Sequence, residues 1–403
     1  MDEMKLWSGG LGGFLPRLPA LLRLDRHETL SQSEIDRIVA NGKELSVREA
    51  MIQALVEAAK GFSNVSPNPL VGCVILDREG LLLSKGYHEK CGEPHAEINA
   101  LKGLSKEQLL GAHVIVTLEP CAHQGKTPSC AQHLAQLPLA KVTYGLRDPN
   151  PLVSGKGAQI IRDAGIQVQE YNELTLELSE ICESFLWNQR QQKIFVAAKV
   201  ASTLDGFLAM KSGESQWITS EQSRIWSHEL RGAYDAVLVG INTLLLDNPS
   251  LNIRHPRFEK KNKVVILDSK GRGIKNRDRL NVFRRHAPEN LIWVVEKGQG
   301  GSHKGPVVEV ESTQDLSIVL KKLWDLGLRS LLVEGGSQVL SSFLKQQLVQ
   351  RLYMFQAPRI LGASGGKSWT ECLEISSLNE MYYLRNVKTA PSGADQLITG
   401  TFE

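Results

Sequence analysis

An α/β protein in two domains is what this sequence predicts, and three observations carry the prediction. The chain has 403 residues, which at about 150 residues per domain points to two or three domains. Helical and strand patterns alternate from Val47 for about 140 residues, and a second alternating run begins at Ile194. Between them lies a polar, helix-patterned segment from Leu174 ending in Gln189-Arg190-Gln191-Gln192-Lys193, which reads as a junction. The expected divisions are therefore 1–46, an extension expected to be poorly ordered, then 47–192 and 193–403.

The elements follow in order. Ala50, Leu55, Ala58 and Ala59 recur at helical spacing among Glu49, Gln53 and Lys60, and the helix should stop near Gly61, ahead of the turn-rich Ser66-Pro67-Asn68-Pro69. Strands are expected at 71–76 and 81–87 around a turn at 77–80, then a helix at 96–101, a strand at 113–118, a helix at 130–137 and a strand at 141–145. In the second run, strands are readable at 194–200, 236–240, 263–267, 291–295 and 331–334. Helices are expected over 220–230, 315–326 and 338–347, and the tail from Arg351 is strand-rich. No internal repeat is visible.

Composition narrows the function classes. With 42% hydrophobic and 23% charged residues, the chain can bury a sizeable core, which excludes disorder, collagen and coiled coil. Its 47 basic and 44 acidic residues leave a net charge of +3, so nothing in the charge calls for nucleic acid or a membrane surface as partner. No apolar run approaches the roughly 20 residues of a membrane span. Asp2 and Glu3, and the interruptions at Pro16, Arg17, Pro19 and Arg23, make the N-terminal stretch read as a soluble extension rather than a targeting signal. Six cysteines are too sparse for a disulfide-built secreted fold, so a reducing, cytoplasmic setting is expected.

The strongest local signal is His95-Ala96-Glu97 followed by Pro120-Cys121 and Cys130. One imidazole and two thiolates are a common ligand set for catalytic zinc, leaving the fourth position for water. Glu97, two residues past the histidine, can serve as the base that takes a proton from that water and delivers it to a leaving amine. H-x-E with P-C-x-x-C marks zinc nucleobase deaminases; here the second half is C-x8-C, a departure. Thr127-Pro128-Ser129 can still start a helix at Cys130, where a thiol pKa is lowered. Either half alone would ordinarily be a solvated helix face or packing cysteines, and Cys73, in an apolar strand, is expected in the core.

These residues, with Pro67-Asn68-Pro69-Leu70-Val71-Gly72 and Asp148-Pro149-Asn150-Pro151 before Gly155 and Gly157, resemble the deaminase half of the bifunctional riboflavin-biosynthesis deaminase/reductase family. The resemblance implies a cytidine-deaminase-like domain that uses the longer C-x8-C spacing. It also implies a substrate pocket lined by Asn68, His88, His123 and Lys126, a set whose amide, imidazoles and ammonium suit a phosphorylated pyrimidine. Ala122 and Ser129 stand where the family often has Ser and Pro.

In the second half, Glu334-Gly335-Gly336-Ser337 follows an apolar strand and precedes a helix, a turn where backbone N–H groups can approach a phosphate. No G-x-G-x-x-G supports a standard dinucleotide fold. Lys199, Thr203-Leu204-Asp205-Gly206, Gly213 to Thr219, His228-Glu229-Leu230-Arg231, Asp247-Asn248-Pro249 and Glu334-Gly335-Gly336 are similar to the reductase half of the same family. That half is dihydrofolate-reductase-like. The resemblance implies NADPH contacts at Ala201, Trp217, Thr243, Asp247, Ser269 and the turn Gly336, Ser337, Gln338, Val339, Leu340, Ser341 and Ser342. It implies substrate contacts at Ser215, Arg231, Leu251, Arg254 and Glu334, with two arginines suited to a ribose phosphate. Lys199 and Glu334 are the candidates to handle the proton while hydride goes to C1′ of the sugar. Phe207 replaces a basic residue common after Asp-Gly, and Gln350 an acid common after Leu-Val.

The resemblance runs from Val47 to Phe402 and implies two enzymes in one chain. The first would hydrolyse the 2-amino group of 2,5-diamino-6-ribosylamino-4(3H)-pyrimidinone 5′-phosphate; the second would reduce the ribosyl group to ribityl with NADPH. Zinc, NADPH and a small phosphorylated pyrimidine are the implied cofactors and partner, and a homo-oligomer follows by family analogy. Two competitors are weighed. A nucleic-acid deaminase shares the zinc motif but would need a basic, aromatic-interleaved stretch. A zinc-stabilised scaffold would need a fourth protein ligand and no Glu97.

Overall fold

The computed structural model describes residues 37–38, 44–122, 129–150, 154–254 and 260–402. Most of the N-terminal extension, His123 and Lys126 lie outside the described residues. The chain divides into two compact units, Met1–Gln191 and Gln192–Glu403.

In the first unit the order is α1 (Val47–Ala59), β1 (Gly72–Leu76), β2 (Leu82–Tyr87), α2 (Ala96–Leu101), β3 (His113–Leu118), α3 (Cys130–Leu134), β4 (Lys141–Leu146), α4 (Lys156–Asp163), β5 (Gln167–Glu170), α5 (Thr175–Ile181) and α6 (Glu183–Gln191). The sheet order is β2-β1-β3-β4-β5, with β1 antiparallel to β2 and β3, and β3, β4 and β5 parallel. Side chains alternate across each strand: Cys73, Ile75, Val114 and Val116 pack on one face, while Val74, Leu76 and Ile115 pack with α1 and Leu178 on the other. Cys73 is thus core. A capping box between Ser46 and Glu49 starts α1, and Gly72 lets it lie close, since a Cβ there would meet Ala54 O at 1.9 Å. The helix from Cys130 stops at Leu134 rather than 137, because Pro138 biases the residue before it away from helix.

The second unit runs β6 (Phe195–Thr203), β7 (Phe207–Met210), α7 (Glu221–Ala233), β8 (Ala236–Gly240), α8 (Ile241–Asp247), β9 (Lys263–Leu267), β10 (Leu291–Glu296), β11 (Val307–Val310), α9 (Leu316–Asp325), β12 (Ser330–Val333), α10 (Ser337–Lys345), β13 (Arg351–Ala357), β14 (Gly366–Ser368), β15 (Arg385–Ser392) and β16 (Asp395–Thr401), with short helical turns between β9 and β10. The main sheet has the order β11-β10-β9-β8-β12-β6-β13-β16-β15. It is parallel from β11 to β13 and closes with the antiparallel β16 and β15. Val196, Ala198, Leu238 and Val265 face α9 and α10, while Val237, Val239, Val264 and Trp293 pack with Ile241 and Leu244 of α8. Ligands of such sheets gather beyond the carboxyl ends of the parallel strands, and the turns after β8 and β12 open there. Phe207 packs its ring over Gly366, on the strand paired with β7. Gln350 Oε1 accepts from Val196 N at 2.8 Å, a structural contact near the start of β6. Among the described residues, no helix is long and apolar enough to cross a membrane.

Candidate functional sites

In the first unit, His95 is the N-cap of α2, Glu97 lies in its first turn, Cys121 follows β3, and Cys130 opens α3. Ser129 caps α3 in a capping box with Gln132, the start that Thr127-Pro128-Ser129 leads one to expect. His95 Nδ1 lies 3.6 Å from Cys121 Sγ and 3.3 Å from Cys130 Sγ, and the three donor atoms fall within 4.8 Å of one another. Cys130 N donates to Cys121 Sγ at 3.3 Å. Hydrogen bonding from Cys130, with a further contribution from His95, holds the Cys121 thiol well below the ordinary thiol range. One nitrogen and two sulfurs converging from one side form the donor set that zinc takes in catalytic sites, and they fit it.

Glu97 is 3% exposed, and burial raises its carboxyl above the usual range. It lines a cavity of about 130 Å³ with His95, Cys121, Asn68, His88 and Asp148. His88 Nδ1 donates to Pro94 O at 3.1 Å, so Nε2 accepts from Asn68 Nδ2 at 3.0 Å. Burial lowers the His88 pKa and favours this neutral form. Both ring nitrogens are thus engaged within the protein, and His88 orients Asn68, while its ring meets that of His95 edge-on at 5.3 Å. Sequence reasoning missed Glu119. Buried in the cavity wall, it accepts from Asp148 N (3.2 Å), Gly155 N (3.0 Å) and Ala158 N (3.1 Å), tying the loop after β4 and the start of α4 to the cysteine turn. Gly157 is needed for that approach: a Cβ there would lie 1.8 Å from Pro120 O. The available signal was an acid at the end of an apolar strand.

In the second unit a cavity of about 460 Å³ is lined by Lys199 and Ala201 of β6, Ser215 and Trp217, Arg231 of α7, Thr243 and Asp247 of α8, Leu251, Arg254, Glu334, Gly336 and Leu340. At its floor, Glu334 accepts from Arg231 Nε (2.7 Å) and Nη2 (2.9 Å), with Lys199 Nζ at 3.5 Å. Burial pushes the Glu334 carboxyl up, but Arg231 and Lys199 together outweigh it and hold it down to about 2. Arg231 Nη1 donates to Asn252 O, so its fork is engaged on both sides. Ser215 Oγ donates to Asp247 at 3.3 Å. Trp217 is 61% exposed, with the Arg224 guanidinium 4.6 Å over its ring.

From the Gly336 turn the wall takes Gly336 and Leu340. Ser337 and Ser341 are buried, and Val339 packs against Gly335 and Gly240. Ser269, just past β9, accepts from Glu296 N through its carbonyl. A Cβ on Gly336 would meet nothing nearer than Thr243 Oγ1 at 3.5 Å, so the backbone at the start of α10 stands open to the cavity. That open turn, beside an exposed indole, fits a pyridine nucleotide. Sequence reasoning assigned no role to Arg224, Ser227 or His228, which α7 brings to the wall at helical spacing.

Comparison with known proteins places both units. The family described as "RibD C-terminal domain" matches residues 194–397, and "Cytidine and deoxycytidylate deaminase zinc-binding region" matches 45–146. Riboflavin biosynthesis protein RibD of Aquifex aeolicus is 39% identical over 347 residues, covering 86% of this chain and 95% of that protein. Its Escherichia coli counterpart is 33% identical over 332 residues, covering 78% and 88%. Among solved structures, Acinetobacter baumannii RibD matches with TM-score 0.78 at 31% identity, over 89% of this chain and 99% of that one. A Thermotoga maritima diaminohydroxyphosphoribosylaminopyrimidine deaminase/5-amino-6-(5-phosphoribosylamino)uracil reductase matches with TM-score 0.77 at 34% identity over the same shares.

Proposed function

This chain belongs to the RibD family, and from that premise we propose that residues 47–192 are its deaminase and 193–403 its reductase. The chain is a bifunctional enzyme of riboflavin biosynthesis, a zinc-dependent hydrolase and an NADPH-dependent reductase acting on a small phosphorylated substrate. In the first reaction, water replaces the 2-amino group of 2,5-diamino-6-ribosylamino-4(3H)-pyrimidinone 5′-phosphate, and ammonia leaves. In the second, one hydride and one proton convert the ribosyl group to ribityl, giving 5-amino-6-(5-phospho-D-ribitylamino)uracil.

His95, Cys121 and Cys130 would hold zinc, which when bound would supply an acidified water as the nucleophile. Glu97 takes the proton of the attacking water on its carboxylate and returns it to the departing amine, a transfer favoured by its burial. Asn68, set by His88, presents its amide to the pyrimidine edge; His123 and Lys126 belong to the same proposal. In the reductase, NADPH supplies the hydride, held by Ala201, Trp217, Thr243, Asp247, Ser269 and the turn from Gly336 to Ser342. Ser215, Leu251 and Arg254 bind substrate, Arg254 at its phosphate, and Arg231 fixes Glu334. Because Glu334 stays ionised at neutral pH, it orients Lys199, whose ammonium carries the proton to the sugar oxygen released as the ring opens. The reading includes a cytoplasmic location, supported by six free cysteines, and no nucleic-acid or membrane partner, supported by a near-neutral charge, with a homo-oligomer by family analogy alone.

The convergence of His95, Cys121 and Cys130 beside buried Glu97 carries the reading. The test is mass spectrometry of the product formed from the diaminopyrimidine with NADPH. A deaminated ribityl phosphate is expected; a product that keeps the 2-amino group would overturn the order of steps.

A further inference from the structure

Arg254 is the cation that the reading above assigns to the substrate phosphate, and the inference here rests on that reading. Burial and the charges of Arg231 and Arg285 press its pKa down, so the guanidinium stands where like charges repel it. A side chain so placed holds its direction only if its backbone is fixed.

The segment 250–254 is fixed along its length. His286 Nε2 donates to Ser250 O at 2.9 Å, Asn262 Nδ2 to Leu251 O at 2.9 Å, and Arg231 Nη1 to Asn252 O at 3.3 Å. Leu251 is buried at φ 51, a left-handed conformation that a non-glycine residue keeps where its surroundings dictate it. The last rung reaches the arginine itself: Arg254 N donates to His228 Nδ1 at 3.2 Å, and Arg254 Nη1 donates to Asn252 Oδ1 at 3.1 Å. A donor at Nδ1 leaves the ring proton of the neutral imidazole on Nε2. His228 lies three residues before Arg231 on α7, so one helix face holds both ends of the segment 252–254. The two residues line the same cavity.

We propose that His228 is a positioning residue of the reductase, holding the Arg254 backbone so that its guanidinium meets the phosphate of the substrate. The role depends on an acceptor at Nδ1 and acts through Arg254.

The full-length, zinc-loaded chain is assayed with 5-amino-6-(5-phosphoribosylamino)uracil and NADPH. H228L and H228A remove the acceptor, H228N keeps a carbonyl oxygen of similar reach, and R254Q removes the guanidinium. Two removal variants are made so that either folded protein suffices, with NADPH binding by fluorescence reporting the fold. Loss of one hydrogen bond to the arginine backbone should raise substrate KM about tenfold in H228L and H228A, with kcat and the KM for NADPH within about twofold. H228N should recover most of that loss, and H228L/R254Q should be no worse than R254Q alone. An unchanged substrate KM in the removal variants, beside a raised one in R254Q, overturns the proposal. Additive effects in the double variant do so too. An unchanged KM in R254Q instead overturns the phosphate reading of Arg254, and the proposal with it.

Discussion

Glu97 and the Glu334 side chain are each buried, 3% and 7% exposed, yet their carboxyls are driven in opposite directions. Burial raises Glu97, while Arg231 and Lys199 hold Glu334 down to about 2. The same side chain is thus poised to take up a proton in one cavity and held as an anion in the other. Burial alone does not decide which; the cations within reach do. The sites differ in construction as well. In the first unit the donor set and Glu97 come from three short stretches, around 95–97, 121 and 130, beside a cavity of about 130 Å³, whereas the cavity of the second unit, about 460 Å³, draws on residues from Lys199 to Leu340.

The largest effect should come from breaking the first half of this contrast. Glu97→Gln keeps the shape but cannot carry a proton, so ammonia release should fall about 1,000-fold or more. Zinc content by elemental analysis should stay at one per chain. Chelating the metal should likewise stop deamination while leaving NADPH-dependent reduction of the supplied uracil substrate intact. Loss of both activities on chelation would deny the separation of the sites.

Glu334→Gln attacks the other half. It strips the shared anion from Arg231 and Lys199, and reduction should drop about 100-fold with deamination unchanged. Leaving those cations buried without it should cost about 3 kcal/mol in urea unfolding of the second unit. The acid response sharpens the point. The folded pKa of Glu334, about 2, lies below the ordinary 4.5, so on acidification the unfolded chain takes the proton first. Its stabilisation is present in full above pH 4.5 and is lost as the pH falls toward 2. Urea midpoints measured from pH 5 to 3 should therefore fall more steeply for the native chain than for Glu334→Gln. The smallest effect is expected at Glu119→Gln, where an amide faces three backbone donors; about 2 kcal/mol should be lost by thermal unfolding, with deamination reduced through the cysteine turn.

How far the sequence shows these sites follows from their construction. His95, Glu97, Cys121 and Cys130 are legible because their chemistry is spaced within local motifs. The pairing of Arg231 with Glu334 spans 103 residues and depends on β12 lying beside β8, which no local pattern reveals. Most strands of both sheets are readable from their apolar runs. Missed elements have weak or merged patterns: β5 is a short, half-exposed Gln-Val-Gln-Glu, and α8 follows β8 without a break, so its apolar residues extend the strand run. The role of His88 was also hidden, since only the geometry has both its ring nitrogens engaged, by Pro94 and Asn68.

The central claim is that two differently tuned carboxylates run two reactions in sequence within one chain. It is tested most directly by following NADPH absorbance while the zinc-loaded chain receives the diaminopyrimidine ribosylamino phosphate as sole substrate. Oxidation is predicted for the native chain. Glu97→Gln should show none until the deaminated substrate is added, whereupon the native rate should return. Oxidation by Glu97→Gln at the native rate with the diaminopyrimidine alone would contradict the account.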